Sequence, residues 1–214
     1  MRVRTRVVHI LLTDRLTCPR CGPDFGLILL AKRLAERRVL DGGLGCPNCR
    51  DQFPIEGGFA DLRPPPRDPL AATLPAEYPD IEATNRLAAL LGVSGGPGTV
   101  ALIGSVAVHA AALADCLPEV EVVAVDAATR GDVERDRVSR LVTGVELPFH
   151  PWTFRALATV GDVVTPEEAV RVVGRGGRVV MDLAGPDAIA RLERTRSRIL
   201  LQEDGWIVAL RETR

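Results

Sequence analysis

The residues best equipped for chemistry in this chain are four cysteines in two matching turns, Cys18-Pro19-Arg20-Cys21 and Cys46-Pro47-Asn48-Cys49. Two residues between the cysteines of a turn let both sulfurs face one ion, while the turn's N–H groups stabilise thiolate charge. Two such turns complete a tetrahedral four-thiolate set with no open coordination position, so the expected metal is a structural zinc. The turns are 24 residues apart, slightly more than the usual ribbon spacing. Cys116, the fifth cysteine, has no spaced companion and reads as a buried structural residue.

A second candidate for chemistry lies in Thr99 to Asp126. An apolar run Val100 to Ile103, a turn at Gly104-Ser105, an alanine-rich stretch to Cys116 and a second run Val122 to Val125 read as strand, turn, helix and strand. Asp126 closes the unit about 20 residues after the turn, where an acid holds a ribose hydroxyl in nucleotide-binding folds. Gly104 and Asp126 are therefore the candidate cofactor contacts. Val106 and Val108 occupy turn positions where a cofactor cradle needs small residues, and their methyl groups are expected to fill the ligand's space.

Other reactive side chains are isolated. His150, beside Pro151 and Trp152, is a base candidate that reads as a packing or surface residue, and His9 and His109 have no evident partner. Asp162 follows a strand at the edge where open sheets bind ligands, and Arg175 and Arg178 flank a Gly176-Gly177 turn.

These residues need elements to position them. Alternation of Arg and Thr with Val over residues 2–8 predicts a half-exposed strand, Leu27 to Leu30 a second, Lys32 to Arg38 a short charged helix or irregular arm, and Asp41-Gly42-Gly43 a turn. Gln52 to Ile55 and Gly57 to Leu62 predict a final strand and turn. Arg63-Pro64-Pro65-Pro66-Arg67-Asp68-Pro69 favours extended backbone and marks a boundary, giving a cysteine domain over 1–63, a linker over 64–79 and a larger domain over 80–214. In the larger domain, helices are expected over 80–91, 131–140, 165–173 and 187–195. Strands are expected at 141–145, 154–160 and 178–183, with a terminal antiparallel hairpin over 199–210. Thr165-Pro166-Glu167-Glu168 is a complete helix start, with an N-cap hydroxyl, Pro in the first turn and a capping-box Glu.

The net charge of −1 conceals an asymmetry: residues 1–67 carry 12 Lys and Arg against 7 Asp and Glu. A basic head on an acidic body admits RNA contact through Arg2, Arg4, Arg6 and Arg20, although 4% aromatic content offers few stacking platforms. The N-terminal apolar run is short and ends in charge, and no run approaches the ~18 apolar residues of a membrane helix, so reduced thiols and a cytoplasmic location are expected.

The paired Cys-Pro-x-Cys turns and the run Phe53-Pro54-Ile55-Glu56-Gly57-Gly58 make residues 9–63 resemble the tRNA-methyltransferase activator subunits, small zinc-ribbon proteins. That resemblance implies a non-enzymatic module that adds a strand to a methyltransferase and covers its apolar surface. Residues 80–212 resemble class I S-adenosylmethionine-dependent methyltransferases through Val122 to Asp126, Glu146-Leu147-Pro148-Phe149 with Thr153-Phe154, and Arg171 to Val180. This implies an α/β, Rossmann-like seven-stranded sheet with its last strand antiparallel. Position by position, Gly104 and Asp126 are retained, while Leu102, Val106, Val108 and Arg155 stand where that superfamily carries an acid, two glycines and a second acid. The expectation is a methyltransferase-like pseudoenzyme with no catalytic residues, serving as a protein-binding or stabilising subunit for a partner such as an active methyltransferase. An active S-adenosylmethionine-dependent enzyme and an RNA-contacting accessory protein are the alternatives.

Overall fold

Alternating and apolar runs along most of the chain pair into a single twelve-stranded mixed sheet, with a separate two-stranded ribbon carrying part of the cysteine cluster. The computed structural model describes residues 8–70, 79–126, 128–129 and 137–213. The strand expected over residues 2–8 therefore falls outside the described residues except for Val8.

The N-terminal segment contains β1 (Val8–His9), the single turn α1 (Ile10–Thr13), β2 (Thr17–Cys18), β3 (Gly22–Gly26), β4 (Ile28–Ala35), β5 (Arg38–Gly45), β6 (Gln52–Glu56) and β7 (Phe59–Leu62). The stretch 32–38, expected as a helix or arm, instead completes a β4–β5 hairpin that turns at Glu36 and Arg37, both at positive φ (47° and 64°). Asp41-Gly42-Gly43 is not a turn but lies within β5, where the backbone of β4 comes so close that a Cβ on Gly42 would sit 2.6 Å from the Leu30 carbonyl oxygen.

After residues 63–70, which form neither helix nor strand, come α2 (Ile81–Leu91), β8 (Gly98–Ile103), a 3₁₀ segment (Gly104–His109), α3 (Ala110–Cys116), β9 (Val120–Val125), β10 (Val138–Thr143) and β11 (Phe154–Val160). α4 (Pro166–Val172), β12 (Val173–Asp182), α5 (Ala188–Arg194), β13 (Ser197–Glu203) and β14 (Trp206–Arg211) complete the chain. α2 begins on Asp80, whose carboxylate accepts from the Glu82 and Ala83 N–H groups, and ends on Gly92 in the left-handed conformation. α4 starts on Thr165 as its sequence requires. Two stretches differ from expectation. Val138 to Arg140 belong to β10, the rest of the helix read over 131–140 lying mainly outside the described residues. The Arg175-Gly176-Gly177 turn is absorbed into β12 as an irregularity opposite Phe154 and Ala156.

The seven strands β8–β14, counted 1 to 7, lie in the order 3-2-1-4-5-7-6. β8 to β12 pair parallel to their neighbours, and β14 is antiparallel between β12 and β13. This is the doubly wound order modified by a late antiparallel strand, and it meets the expectation of a Rossmann-like methyltransferase sheet. α2 and α3 cover one face through Leu87, Leu91 and Leu113. α4 and α5 cover the other through Ala169, Val170 and Leu192.

The N-terminal segment joins this sheet directly. β7 pairs in parallel with β10, from Phe59 opposite Arg140 to Leu62 opposite Thr143. The connection from β10 to β11 contains no helix, although parallel crossovers usually carry one. On that face its place is taken by Val8, Leu12, Leu16 and Phe53, which form one buried cluster with Val123, Leu141, Phe149 and Phe154. The loop is zipped to the segment by Thr17 N–H to the Pro148 carbonyl (2.9 Å) and His150 N–H to the Arg15 carbonyl (3.0 Å). No helix among the described residues is long and apolar enough to cross a membrane.

Candidate functional site

The two cysteine turns meet at the β2–β3 ribbon and the start of β6. Cys18, Cys21, Cys46 and Cys49 place all four Sγ atoms within 4.8 Å of one another, with Cys18–Cys49 at 3.7 Å and Cys21–Cys46 at 3.8 Å. An ideal tetrahedron of sulfurs at a zinc–sulfur distance of ~2.3 Å has edges of ~3.8 Å, so the cluster fits a four-thiolate ion. Cys21 N–H donates to Cys18 Sγ and Asn48 Nδ2 to Cys21 Sγ, each at 3.4 Å, bonds that stabilise thiolate charge. Arg20, paired to Asp51 at 3.1 Å, sets positive charge beside the cluster. Without an ion the thiols differ in acidity. Burial pushes Cys18 up to about 12. In Cys46 burial acts in the same sense, but the Cys49 and Asn48 N–H groups together with the Cys18 and Cys49 side chains outweigh it and bring the thiol down to about 7.

The candidate cofactor contacts come together at the carboxyl edge of the sheet. Gly104 follows β8 at φ 77°, a conformation that glycine adopts without strain, and Asp126 follows β9. They line one cavity with Val125, Leu147, Val163 and Val164, but its volume is about 200 Å³, below the roughly 300–1,000 Å³ of small-molecule sites. Contrary to expectation, Val106 and Val108 do not fill this cavity. Val106 is buried among the α2 and α3 side chains and neither it nor Val108 lines the cavity. Residues 104–109 wind instead into a 3₁₀ segment, and Val163 stands so that a Cβ on Gly104 would touch it at 3.5 Å. The Asp126 carboxylate is engaged locally, accepting from Ala128 N–H at 2.7 Å.

The remaining candidates are dispersed. Asp162 accepts from Gly185 N–H at 3.2 Å, and His150 lies by Gly26 as a packing residue. His9 caps α1 by accepting from Leu11 N–H at 3.2 Å. His109 Nδ1 is 2.8 Å from Thr84 Oγ1, and burial lowers its pKa against the opposing charge of Asp80. Cys116 is exposed, contrary to its reading as a buried residue. Arg178 donates to the Ala89 and Leu90 carbonyls and Arg155 to those of Gly95, Gly96 and Pro97. A larger cavity that local sequence patterns did not reveal lies at the opposite, amino-terminal edge of the strands.

Together these elements make an α/β chain with a Rossmann-like sheet and a four-cysteine N-terminal segment. No protein-family model matches it, and no curated protein matches it. Among solved structures, it is similar to a protein assigned as a methyltransferase of an antibiotic-biosynthesis pathway in Anabaena variabilis (20% identity, 50% of this chain and 47% of that one, TM-score 0.41). It is also similar to the precorrin-6y C5,15-methyltransferase of Geobacter metallireducens (15%, 61% and 88%, 0.43). A third similarity is to a chain from the complex between the Haloferax volcanii Trm112 methyltransferase activator and a protein assigned as a methyltransferase (19%, 46% and 50%, 0.38). The matches span about half the length of the Anabaena and Haloferax chains.

Proposed function

We propose that this chain is a methyltransferase-like pseudoenzyme that carries an activator-type zinc ribbon in cis and works as a protein-binding or stabilising subunit. The observation that carries this reading is the small cavity at Gly104 and Asp126: as walled by the described residues it is about 200 Å³, below the usual size of small-molecule sites, and Asp126 Oδ1 accepts from Ala128 N–H. The pairing of β7 with β10 supports the cis arrangement, because the strand edge that an activator would lend to another methyltransferase is used within this chain. A partner would then meet the far side of the segment. There β4 is paired only to β5 among the described strands, and Ile28, Leu30 and Leu34 are each about half exposed. The four cysteines would hold zinc as a structural ion, and Gly104 and Asp126 are the positions at which any residual S-adenosylmethionine contact would occur. Isothermal titration calorimetry with S-adenosylmethionine and with S-adenosylhomocysteine tests the reading. No binding heat is expected at millimolar ligand, whereas micromolar affinity abolished by Asp126→Ala would establish a working cofactor site.

A further inference from the structure

The missing helix between β10 and β11 leaves a space that the N-terminal segment fills only in part. α1 is one turn long, and beyond it the amino-terminal ends of β8, β9, β11 and β12 open into a cavity of about 840 Å³, well within the size range of ligand sites. Five arginines, Arg15, Arg37, Arg155, Arg175 and Arg178, line it against two glutamates, Glu119 and Glu121. Arg155 and Arg178 each direct Nη1 to backbone carbonyls, which leaves their charge unneutralised. The guanidinium groups of Arg15, Arg37 and Arg175 have no hydrogen-bond or ion-pair partner among the described residues. Arg175 is also near enough to Arg211 to add to the lowering of its pKa, which is caused first by burial. Among the described residues, cationic groups are thus gathered here without matching counter-charge, the arrangement of an anion site.

Two further features narrow the ligand. Trp152 stands in the cavity wall 58% exposed, at φ 65° with its N–H bonded to the Arg171 carbonyl, and the Arg175 and Arg211 guanidinium groups lie 5.9 and 5.8 Å from its ring centre. Left-handed backbone is unfavourable for a bulky residue, and Arg37 (64°) and Glu119 (61°) on the same cavity share it. Glu121 brings an acceptor: its Oε2 is buried with no hydrogen-bond partner. Its strand lies two positions from β11, and the pairings Thr99 with Glu121 and Val100 with Ala156 put Glu121 and Arg155 in one row, about 10 Å apart at ~4.8 Å per strand.

We propose that this cavity binds a nucleotide, free or as a unit of single-stranded RNA, with the phosphate on Arg15, Arg37 and Arg175, the base against Trp152, and a base or ribose donor on Glu121 Oε2. Phosphate recognition by arginine and base stacking on an exposed indole are the recurrent means of holding unpaired nucleotides, and neither an apolar nor a cationic ligand would satisfy this lining. The site is on the opposite edge of the sheet from Gly104 and Asp126, so it is independent of whether the chain binds a methyl donor.

The test titrates the full chain with adenosine and guanosine 5′-monophosphates, a six-nucleotide single-stranded RNA and inorganic phosphate, following heat and tryptophan fluorescence. Binding by nucleotide or RNA at least tenfold tighter than by phosphate is expected. It should fall at least tenfold in Arg15→Gln, Arg175→Gln and Trp152→Ala, and be unchanged in Arg198→Gln, which removes an exposed arginine from β13. RNA binding that exceeds mononucleotide binding, with affinity declining as salt rises, identifies RNA as the source, and equal affinities identify a free nucleotide. Absence of binding by folded protein overturns the proposal. So does binding that Arg198→Gln weakens as much as Arg15→Gln does, or phosphate binding as tight as that of the nucleotides.

Discussion

His109 illustrates how a side chain set aside as a catalyst acquires a physical role. It sits at the end of the 3₁₀ segment with Nδ1 2.8 Å from the Thr84 hydroxyl of α2, linking the two elements that cover one sheet face. Burial lowers its pKa below 6.5, and the charge of Asp80 opposes the shift only in part. The unfolded chain therefore binds this proton more readily than the folded one. Stability from the neutral ring is complete above about pH 6.5 and declines as pH falls through and below that value. The expected result is a melting temperature that drops between pH 7 and pH 5, with a shallower drop in His109→Gln. Equal slopes for the two proteins would show that the ring does not titrate in this way. Among single residues, the cysteines were legible because two residues of spacing determine a turn. The Trp152 cavity was not, because Arg15, Arg37, Glu121, Trp152 and Arg175 are brought together only by tertiary structure. The two valines after Gly104 carried the expectation of methyl groups filling the ligand's space. Their methyl groups, however, do not occupy the crevice, because the backbone winds into a 3₁₀ segment that turns Val106 into the core.

At the scale of elements, α4 was legible to within a residue since Thr165, Pro166 and Glu168 each satisfy a first-turn requirement locally. The β4–β5 hairpin was not, because its two-residue turn uses Glu36 and Arg37 at positive φ, where Gly or Asn is the usual signal. What no local pattern could give is the second role of α4, which anchors the loop replacing a crossover helix. Arg171 donates to the Phe149 carbonyl (2.7 Å) and the Leu147 carbonyl (2.8 Å), and pairs with Glu168, whose Oε1 accepts from Leu147 N–H at 3.0 Å. That loop in turn holds Leu16 and Thr17 of the N-terminal segment. Arg171→Met keeps much of the side-chain volume but removes the guanidinium bonds to the Phe149 and Leu147 carbonyls and to the Glu168 carboxylate, of which the latter two retain a backbone N–H donor. A loss of roughly 2–3 kcal/mol in urea unfolding is expected, accompanied by faster amide exchange at Thr17. A loss below about 0.5 kcal/mol, the ordinary surface value, would mean that the loop is held by apolar packing alone.

For the whole molecule, the proline run marks where secondary structure stops, yet one sheet and one buried cluster continue across it through β7, β10 and the side chains from Val8 to Phe154. Pairing between Phe59 and Arg140 joins residues about 80 positions apart, and such a contact leaves no periodicity to read. The arrangement has a thermodynamic consequence if the cysteines hold zinc. Binding free energies for structural zinc reach about 10–16 kcal/mol in small modules, comparable to the whole stability of a domain at ~5–15 kcal/mol. Removing the ion is then expected to unfold the N-terminal segment and, because that segment substitutes for a missing helix, to uncover Val123, Leu141 and Phe149 beneath it. Treatment with excess chelator, or Cys46→Ser with Cys49→Ser, should therefore lower the melting temperature of the α/β sheet itself within one cooperative transition and raise binding of a hydrophobic dye. Returning zinc should restore the native transition in the chelated protein but not in the double variant. Two resolved transitions, with the α/β transition unmoved by the chelator, would show that the segment is an appendage and that the shared sheet contributes little to holding the molecule together.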